Sequence, residues 1–118
     1  MRRIAFVLLA AAAVLLAACS DPLPQERREY AGDWRGPQMR MLITVDGRCE
    51  YSRRFEGGRS SQISAPIQRF EGDNIVVGLG FMNTTFVVSK PPHLVGGHWK
   101  MVVDGVELTR FGADEVNA

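Results

Sequence analysis

Apolar and polar residues alternate over most of the chain beyond residue 39, which is the pattern of half-buried β-strands. The segment from Met39 to Val45 has this period of two, and so does the segment from Cys49 to Phe55. We therefore expect one face of each strand to be buried and the other to be polar. Further strands are predicted over Ser60–Ser64, Ile67–Phe70, Asn74–Phe81 and Thr84–Ser89.

The parity of the apolar positions decides the length of the first hairpin loop. An Asp-Gly dipeptide at 46–47 suggests a two-residue turn, but that turn would pair Ile43 with Glu50 and mix the two faces. A three-residue loop ending at Gly47 instead pairs Ile43 with Cys49 and keeps the apolar side chains together. We therefore predict the longer loop, with its glycine in the left-handed conformation of a bulged type I turn.

The last hairpin gives the opposite answer. A two-residue turn at Asp104-Gly105 pairs Val103 with Val106 and Met101 with Leu108, so that the large apolar residues share one face. The other face is polar, and on it a lysine and a glutamate lie diagonally across the two strands. The sequence therefore predicts a tight hairpin at the end of the domain.

Proline and glycine mark the remaining connections. Pro66 predicts a break or a sheet edge, Met82-Asn83 predicts a turn, and the stretch from Pro91 to Gly97 predicts a longer loop. Seven or eight short consecutive strands indicate an all-β domain, a small antiparallel meander that closes as a barrel or folds as a sandwich.

The beginning of the chain has a different pattern. Met1-Arg2-Arg3 is positive, and Ile4 to Ala18 is an uninterrupted apolar run without a charge. A positive start, a short apolar stretch and small residues at its end define a secretory signal peptide. As a helix, the run would span only about 22 Å, less than the ~30 Å hydrocarbon core of a bilayer. We therefore predict a cleaved signal peptide over residues 1–18.

The end of this segment, Leu16-Ala17-Ala18-Cys19, resembles the lipobox of bacterial lipoproteins. The resemblance implies cleavage between Ala18 and Cys19, diacylglycerol on the Cys19 thiol, and acylation of the new amino group. Two or three acyl chains hold a protein stably on a membrane, whereas one gives only marginal binding. Ser20, in place of an aspartate, implies the outer membrane facing the periplasm, although Asp21 leaves the inner membrane open.

Cleavage would leave a chain of 100 residues, because 18 of the 118 are removed. Residues 19–29 are predicted to be the lipidated cysteine and a flexible tether, residues 30–113 the β domain, and residues 114–118 a tail. Two arginines leave with the signal, so 12 basic residues face 13 acidic ones and the net charge changes from +1 to −1. This balance gives no indication of a nucleic-acid partner. Lipidation of Cys19 leaves Cys49 without a disulfide partner, and we expect its thiol to be buried as a small apolar group.

The β domain itself has a resemblance to a known family. Gly32-Asp33-Trp34 resembles the G-x-W motif of lipocalins and the wider calycin group. In that family the tryptophan packs near an arginine of the last strand and closes one end of the barrel, which implies a barrel-closing pair of Trp34 and Arg110. Residues 99–110 are also similar to the final hairpin of small bacterial lipoproteins, a likeness that implies an architecture and no activity.

Residues that could perform catalysis or hold a metal are sparse. His93 and His98 are the two histidines, and two ligands do not make a zinc site. The serines lie in neither a G-x-S-x-G nor an S-x-x-K pattern. We therefore predict no enzyme, no metal and no cofactor. The cluster Arg53, Arg54 and Arg59 is a local basic patch. It is either a solvated strand face or a contact for an anionic partner such as lipopolysaccharide or an acidic protein.

Two functions remain open. The first is a membrane-anchored interaction or structural module of the cell envelope, binding a periplasmic protein through a strand edge or the Pro91–Gly97 loop. The second is a lipocalin-like carrier of a small apolar ligand. Predicted strands of six or seven residues rise only about 20–23 Å, which favours a barrel filled by its own side chains and hence the first function.

Overall fold

The computed structural model describes residues 21–112, which form one nine-stranded antiparallel sheet curled into a half-barrel. The all-β, barrel-like prediction is confirmed, with nine strands in place of seven or eight. The signal peptide, Cys19 and the predicted tail lie outside the described residues. A 3₁₀-helix, Gln25–Tyr30, precedes strands β1 (Gly32–Gly36), β2 (Met39–Ile43), β3 (Arg48–Arg54), β4 (Ser60–Glu71), β5 (Asn74–Leu79), β6 (Met82–Phe86), β7 (Val88–Val95), β8 (His98–Val103) and β9 (Val106–Phe111).

The strand order in the sheet is β6-β5-β4-β3-β2-β1-β9-β8-β7. The two edge strands, β6 and β7, follow each other in the chain and are separated by Val87 alone. Two side chains, one from the last hairpin turn and one from the start of β5, hold this junction. The amide of Val87 donates to Asp104 Oδ1 at 2.9 Å, and the amide of Val88 donates to Asn74 Oδ1 at 2.8 Å. The curl of the sheet therefore brings its two ends to the same segment.

Both hairpin registers predicted from parity are confirmed. In the first hairpin Ile43 pairs with Cys49, and Gly47 has a φ of 93° in the three-residue loop. In the last hairpin Val103 pairs with Val106, and the predicted diagonal pair, Lys100 and Glu107, has its charged atoms 3.5 Å apart. The requirement to bury one face was thus sufficient to choose each loop length.

The inward-facing side chains form one hydrophobic core. The alternating positions of β2, β3, β8 and β9 provide much of it, as the sequence predicted, and the 3₁₀-helix adds Tyr30. Among the described residues, the largest side chains with less than 2% of their surface exposed are Trp34, Phe86, Met41, Ile43, Ile75, Met101, Leu108, Val76, Val77, Val103 and Cys49.

Cys49 is a free, fully buried cysteine, as expected. Burial, with a smaller contribution from Glu50, raises the pKa of its thiol to about 12. Because the thiolate is the reactive form, we expect the thiol to resist a maleimide at pH 8 in the folded protein and to react quickly in guanidinium chloride. Mass spectrometry of a Cys19→Ala chain, which leaves one thiol, measures both rates. Equal rates would contradict the packing around β3.

Pro66 does not break a strand, contrary to the sequence-based expectation. The two strands predicted over 60–70 are the single strand β4, in which Pro66 pairs with Arg48. β4 pairs with β3 as far as Pro66 and with β5 from Ile67 onward, with a register shift between Ile67 and Arg69. The residue without an N–H donor thus stands where the strand exchanges one partner for the other, at little cost in hydrogen bonds.

Two predicted connections were also misplaced. The chain turns at Gly80-Phe81, before the predicted Met82-Asn83 turn, since Leu79 pairs with Met82. The stretch from Pro91 to Gly97 is not a long loop, because its residues up to Val95 belong to edge strand β7 and the turn is short. Register shifts on either side of Lys90 let β7 contain two prolines at the sheet edge.

The predicted flexible tether is, over its described residues, part of the domain. Leu23 is 5% exposed and its amide donates to the Val45 carbonyl at 2.9 Å. Arg27 donates to the Gly72 carbonyl at 2.8 Å and lies over the ring of Phe70 at 4.7 Å. A single apolar residue in a polar stretch thus docks the segment onto the sheet. Among residues 21–112, no helix is long and apolar enough to cross a membrane.

Candidate anion-binding groove

An open groove of about 750 Å³ runs over the ends of β1 to β4. Its walls carry four arginines and uncharged polar side chains, and no acidic residue lines it. We call this surface the arginine groove. Its charged and polar residues are Arg35, Arg40, Arg53, Arg54, Gln38, Ser52, Ser60, Ser61 and Gln62.

The sheet register brings the arginines together from separate strands. Arg35 of β1 pairs with Arg40 of β2, and Arg40 pairs with Ser52 of β3. At the neighbouring turn, the amide of Arg54 donates to the Gln38 carbonyl at 2.8 Å. Residues 19 positions apart thus line one surface. Arg53 and Arg54 are recognisable in the sequence as a local pair, whereas the two arginines that pairing across β1 and β2 adds are not.

Asp33 lies beside the groove and orients two of its arginines. Arg35 donates to Asp33 Oδ2 at 2.8 Å, and Arg40 donates to Oδ1 and Oδ2, each at 3.0 Å. Burial raises the pKa of Asp33, but the hydrogen bonds from Arg35 and Arg40 outweigh it, so this pKa lies below its ordinary value of 3.8. The carboxylate is therefore ionised at neutral pH and holds both guanidinium groups against the sheet.

The pH dependence of the stability of an Asp33 variant tests this arrangement. Because the folded-state pKa is lowered, the ionised carboxylate stabilises the fold above the ordinary pKa, and this contribution is lost as pH falls through the lowered value. The arginines are about half exposed, so we expect Asp33→Asn to cost only about 1 kcal/mol at pH 7. Urea unfolding of both proteins at pH 7 and well below pH 3.8 measures this. An equal difference at both pH values would contradict it.

The other two arginines carry unneutralised charge. Among residues 21–112, Arg53 and Arg54 form no ion pair with a carboxylate. Arg53 lies over the ring of Phe55 at 5.0 Å, and Arg59 approaches the same ring at 5.9 Å. Two members of the predicted basic patch, Arg53 and Arg59, thus approach the ring of Phe55, and Arg53 and Arg54 line the groove.

This arrangement suits an anion. A guanidinium group offers planar, paired donors that match a carboxylate or phosphate, and it loses less hydration than an ammonium group on binding. Four such groups surround the groove, and the single carboxylate of Asp33 neutralises only part of their charge. Serine and glutamine side chains add neutral donors and acceptors. The groove can therefore bind an extended anionic chain without any covalent chemistry.

Trp34 and Arg110, the pair implied by the calycin resemblance, lie elsewhere, at the junction of β1 and β9. They are register partners, and the Arg110 guanidinium lies 5.8 Å from the centre of the Trp34 ring. It also lies 4.9 Å from the ring of Trp99 and donates to the Glu29 carbonyl at 3.4 Å. Arg110 thus connects β8, β9, β1 and the 3₁₀-helix, while its role in closing a barrel stays a prediction.

The position two residues before Trp34 requires a glycine, Gly32, because the side chain of Arg110 lies against it. Its φ is +147°, and a Cβ on it would overlap the methylene groups of Arg110. Only a residue without a side chain lets the arginine cross β1 at this point. The glycine and the arginine are therefore a matched pair, 78 positions apart in the sequence.

The histidines do not converge on a site. His93 Nδ1 lies 2.8 Å from the Pro91 carbonyl on β7, and His98 begins β8. Across residues 21–112, no three His, Cys, Asp or Glu side chains are grouped so that they could hold a metal ion. No family model, curated protein or solved structure matches this chain.

Proposed function

We propose that this protein is a membrane-tethered lipoprotein of the cell envelope whose β domain binds an anionic partner through the arginine groove. The observation that carries the proposal is the convergence of four arginines on a groove without an acidic lining residue. It is notable against a predicted mature net charge of −1, because the positive charge is concentrated on one surface.

The sequence supports the tether. The lipobox-like Leu16-Ala17-Ala18-Cys19 follows an apolar run, and only Ser20 lies between Cys19 and the described residue Asp21. Acyl chains on Cys19 would hold the domain on the periplasmic face of the outer membrane. A binding module at that place meets envelope proteins continuously, because both are confined to one compartment.

The packing of the core supports binding at the surface over carriage of a small ligand. Large side chains without exposed surface, such as Trp34, Met41 and Phe86, occupy the inward side of the sheet. The arginine groove, a second groove beside it and a third beside the N-terminal segment are open surface features. An apolar ligand needs an enclosed apolar site, whereas an acidic chain needs an accessible basic one.

We propose an acidic segment of an envelope protein as the partner. Carboxylate side chains match the guanidinium groups, and the polar lining of Ser52, Ser60 and Gln62 offers hydrogen bonds to a peptide backbone. Lipopolysaccharide offers phosphate in place of carboxylate. The two partners differ in whether a crosslinked product contains a second polypeptide.

A photo-crosslinking residue at Gln62 tests the proposal in the intact lipoprotein within its native envelope. We expect a crosslinked product with a second protein, identified by mass spectrometry. The matched control is the same residue at Thr85, which is exposed on edge strand β6 and lies outside the groove. If the crosslinked product contains only lipopolysaccharide, the partner is lipopolysaccharide and the proposed protein partner is wrong. If no crosslinked product depends on the groove, the proposed function is overturned.

Charge reversal should remove the contact. We expect Arg53→Glu with Arg54→Glu to weaken binding by about tenfold or more, since each pair lost costs up to about 1 kcal/mol and the new charges repel an acidic partner. Arg28→Glu with Arg69→Glu, two exposed positions outside the groove, is the control. Loss of the Gln62 crosslink in the first variant only is the expected result. Equal losses in both would show a general effect of charge.

A further inference from the structure

The turn between β5 and β6 presents an apolar surface to solvent. Leu79 is 65% exposed, Phe81 94% and Met82 71%. We call residues 79–82 the apolar tip. The hairpin around it contains no charged residue from position 74 to position 89, in a chain of which 23% is charged. Scattered exposed apolar residues are ordinary, but three within four positions on an uncharged hairpin form a patch.

The apolar tip is held in a fixed shape. Gln68 Nε2 donates to the Gly80 carbonyl at 2.9 Å, and Asn83 Nδ2 approaches the same oxygen at 3.4 Å. Gly78, with a φ of +139°, lets the strand backbones approach closely beside Met82. These contacts brace the turn on which the three exposed apolar side chains stand.

The same region receives the N-terminal part of the chain. Asp21 lies against Gly47, where even a Cβ would overlap its carbonyl, and the Ile67 amide donates to the Gly47 carbonyl at 2.7 Å. Gln68, the next residue of β4, holds the apolar tip. A short series of direct contacts thus connects Asp21 with the tip. Val45, which is 59% exposed, lies beside this path.

The proposed attachment of Cys19 to a membrane indicates that the apolar tip lies close to lipid. Cys19 is two positions away, a distance of at most about 7 Å along the chain. An acyl chain on Cys19 therefore enters the membrane close to the β2–β3 loop. A free tether of eleven residues would let the domain stand far from the lipid headgroups. A domain that is docked through Leu23 and attached at this point stays close to them.

We propose that the apolar tip docks into the bilayer that holds the acylated Cys19. Apolar side chains enter the boundary between headgroups and acyl chains when no charge has to be desolvated with them, and this hairpin has none. The inference rests on the proposed lipid anchor, which keeps the tip at the surface. Together, the anchor and the tip fix the domain at two points and therefore fix its orientation.

Tryptophan fluorescence in vesicles tests the docking. The full-length chain is produced in a Gram-negative host, and its processed lipoprotein is reconstituted into phosphatidylethanolamine–phosphatidylglycerol vesicles that contain phospholipids brominated near their headgroup ends. We expect the emission that Phe81→Trp adds to that of Trp34 and Trp99 to be shifted to the blue and mostly quenched. Leu94→Trp is the matched control, because Leu94 is also an exposed apolar residue, lies outside the arginine groove and stands near the end of β7 that is remote from β6.

Vesicle flotation separates failure of the docking from failure of the anchor. If both variants float and the added emission of Phe81→Trp is not quenched, the docking is overturned while the anchor stands. If neither floats, the anchor and the docking both fail. A blue shift without quenching means that a protein surface, such as a second copy, covers the tip, and this overturns the inference. Quenching of Phe81→Trp alone supports it.

Discussion

Replacing Trp34 with alanine should lower the free energy of unfolding by about 3–5 kcal/mol, the largest loss of stability that we expect from one substitution in this domain. The side chain has no exposed surface and lies within the one hydrophobic core. Its Nε1 donates to the Tyr30 carbonyl at 2.8 Å, so the change also leaves a buried acceptor without its partner. Arg110 loses one of the two rings that it contacts.

Urea unfolding followed by circular dichroism measures this loss, with Trp99→Ala as the control. Trp99 contacts the same guanidinium group but is only partly buried, so its truncation should cost clearly less. Trp34→Phe keeps most of the volume and removes the hydrogen bond, and should fall between the two. Equal losses for Trp34→Ala and Trp99→Ala would contradict the placement of Trp34 in the core.

Substitution of Cys19 with alanine should release the protein from the membrane. The lipobox-like sequence provides one thiol for acylation, and without acyl chains the apolar tip is too small an anchor to keep the domain bound. Fractionation of the envelope and mass spectrometry of the mature chain measure the result. We expect the wild-type mass to include the lipid and the variant to lack it.

Ser20→Ala is the control for this substitution, because it changes the neighbouring residue and leaves the thiol in place. It should remain lipidated and membrane-bound. A Cys19→Ala chain that stays in the membrane fraction to the same extent as Ser20→Ala would remove the basis of the lipoprotein interpretation. The groove could then still bind an anion, but as part of a protein held in some other way.

The sequence predicted those parts of the fold that local burial decides. Only one loop length places Ile43 beside Cys49 and keeps a single apolar face, so the first hairpin followed from parity alone. Edge strand β7 could not be recognised in this way, because two prolines and irregular pairing remove its alternation. Pro66 wrongly predicted a strand break or a sheet edge for a related reason. Whether a proline interrupts a strand depends on which neighbour the strand pairs with at that position, and β4 changes its neighbour there.

The candidate site was only half visible in the sequence. Arg53 and Arg54 are adjacent, but Arg35 and Arg40 join them only through the register of three strands. Knowledge of the β1–β2 pairing would have supplied the missing signal, because an arginine opposite an arginine requires a carboxylate nearby, and Asp33 precedes Arg35 by two positions. The docking of Leu23 had only a weak local signal, one apolar residue in a polar stretch.

The two prolines of β7 have a consequence for self-association. A sheet with two free edges can grow into a fibre when the first edge of one molecule pairs with the second edge of the next, and such growth never closes. Here that fibre would have to join β6 of one copy to β7 of another. Pro91 and Pro92 have no N–H to donate, so β7 is a poor template for an added strand. On the proposed membrane surface, an edge-to-edge chain of neighbouring molecules therefore lacks a good second edge on which to continue.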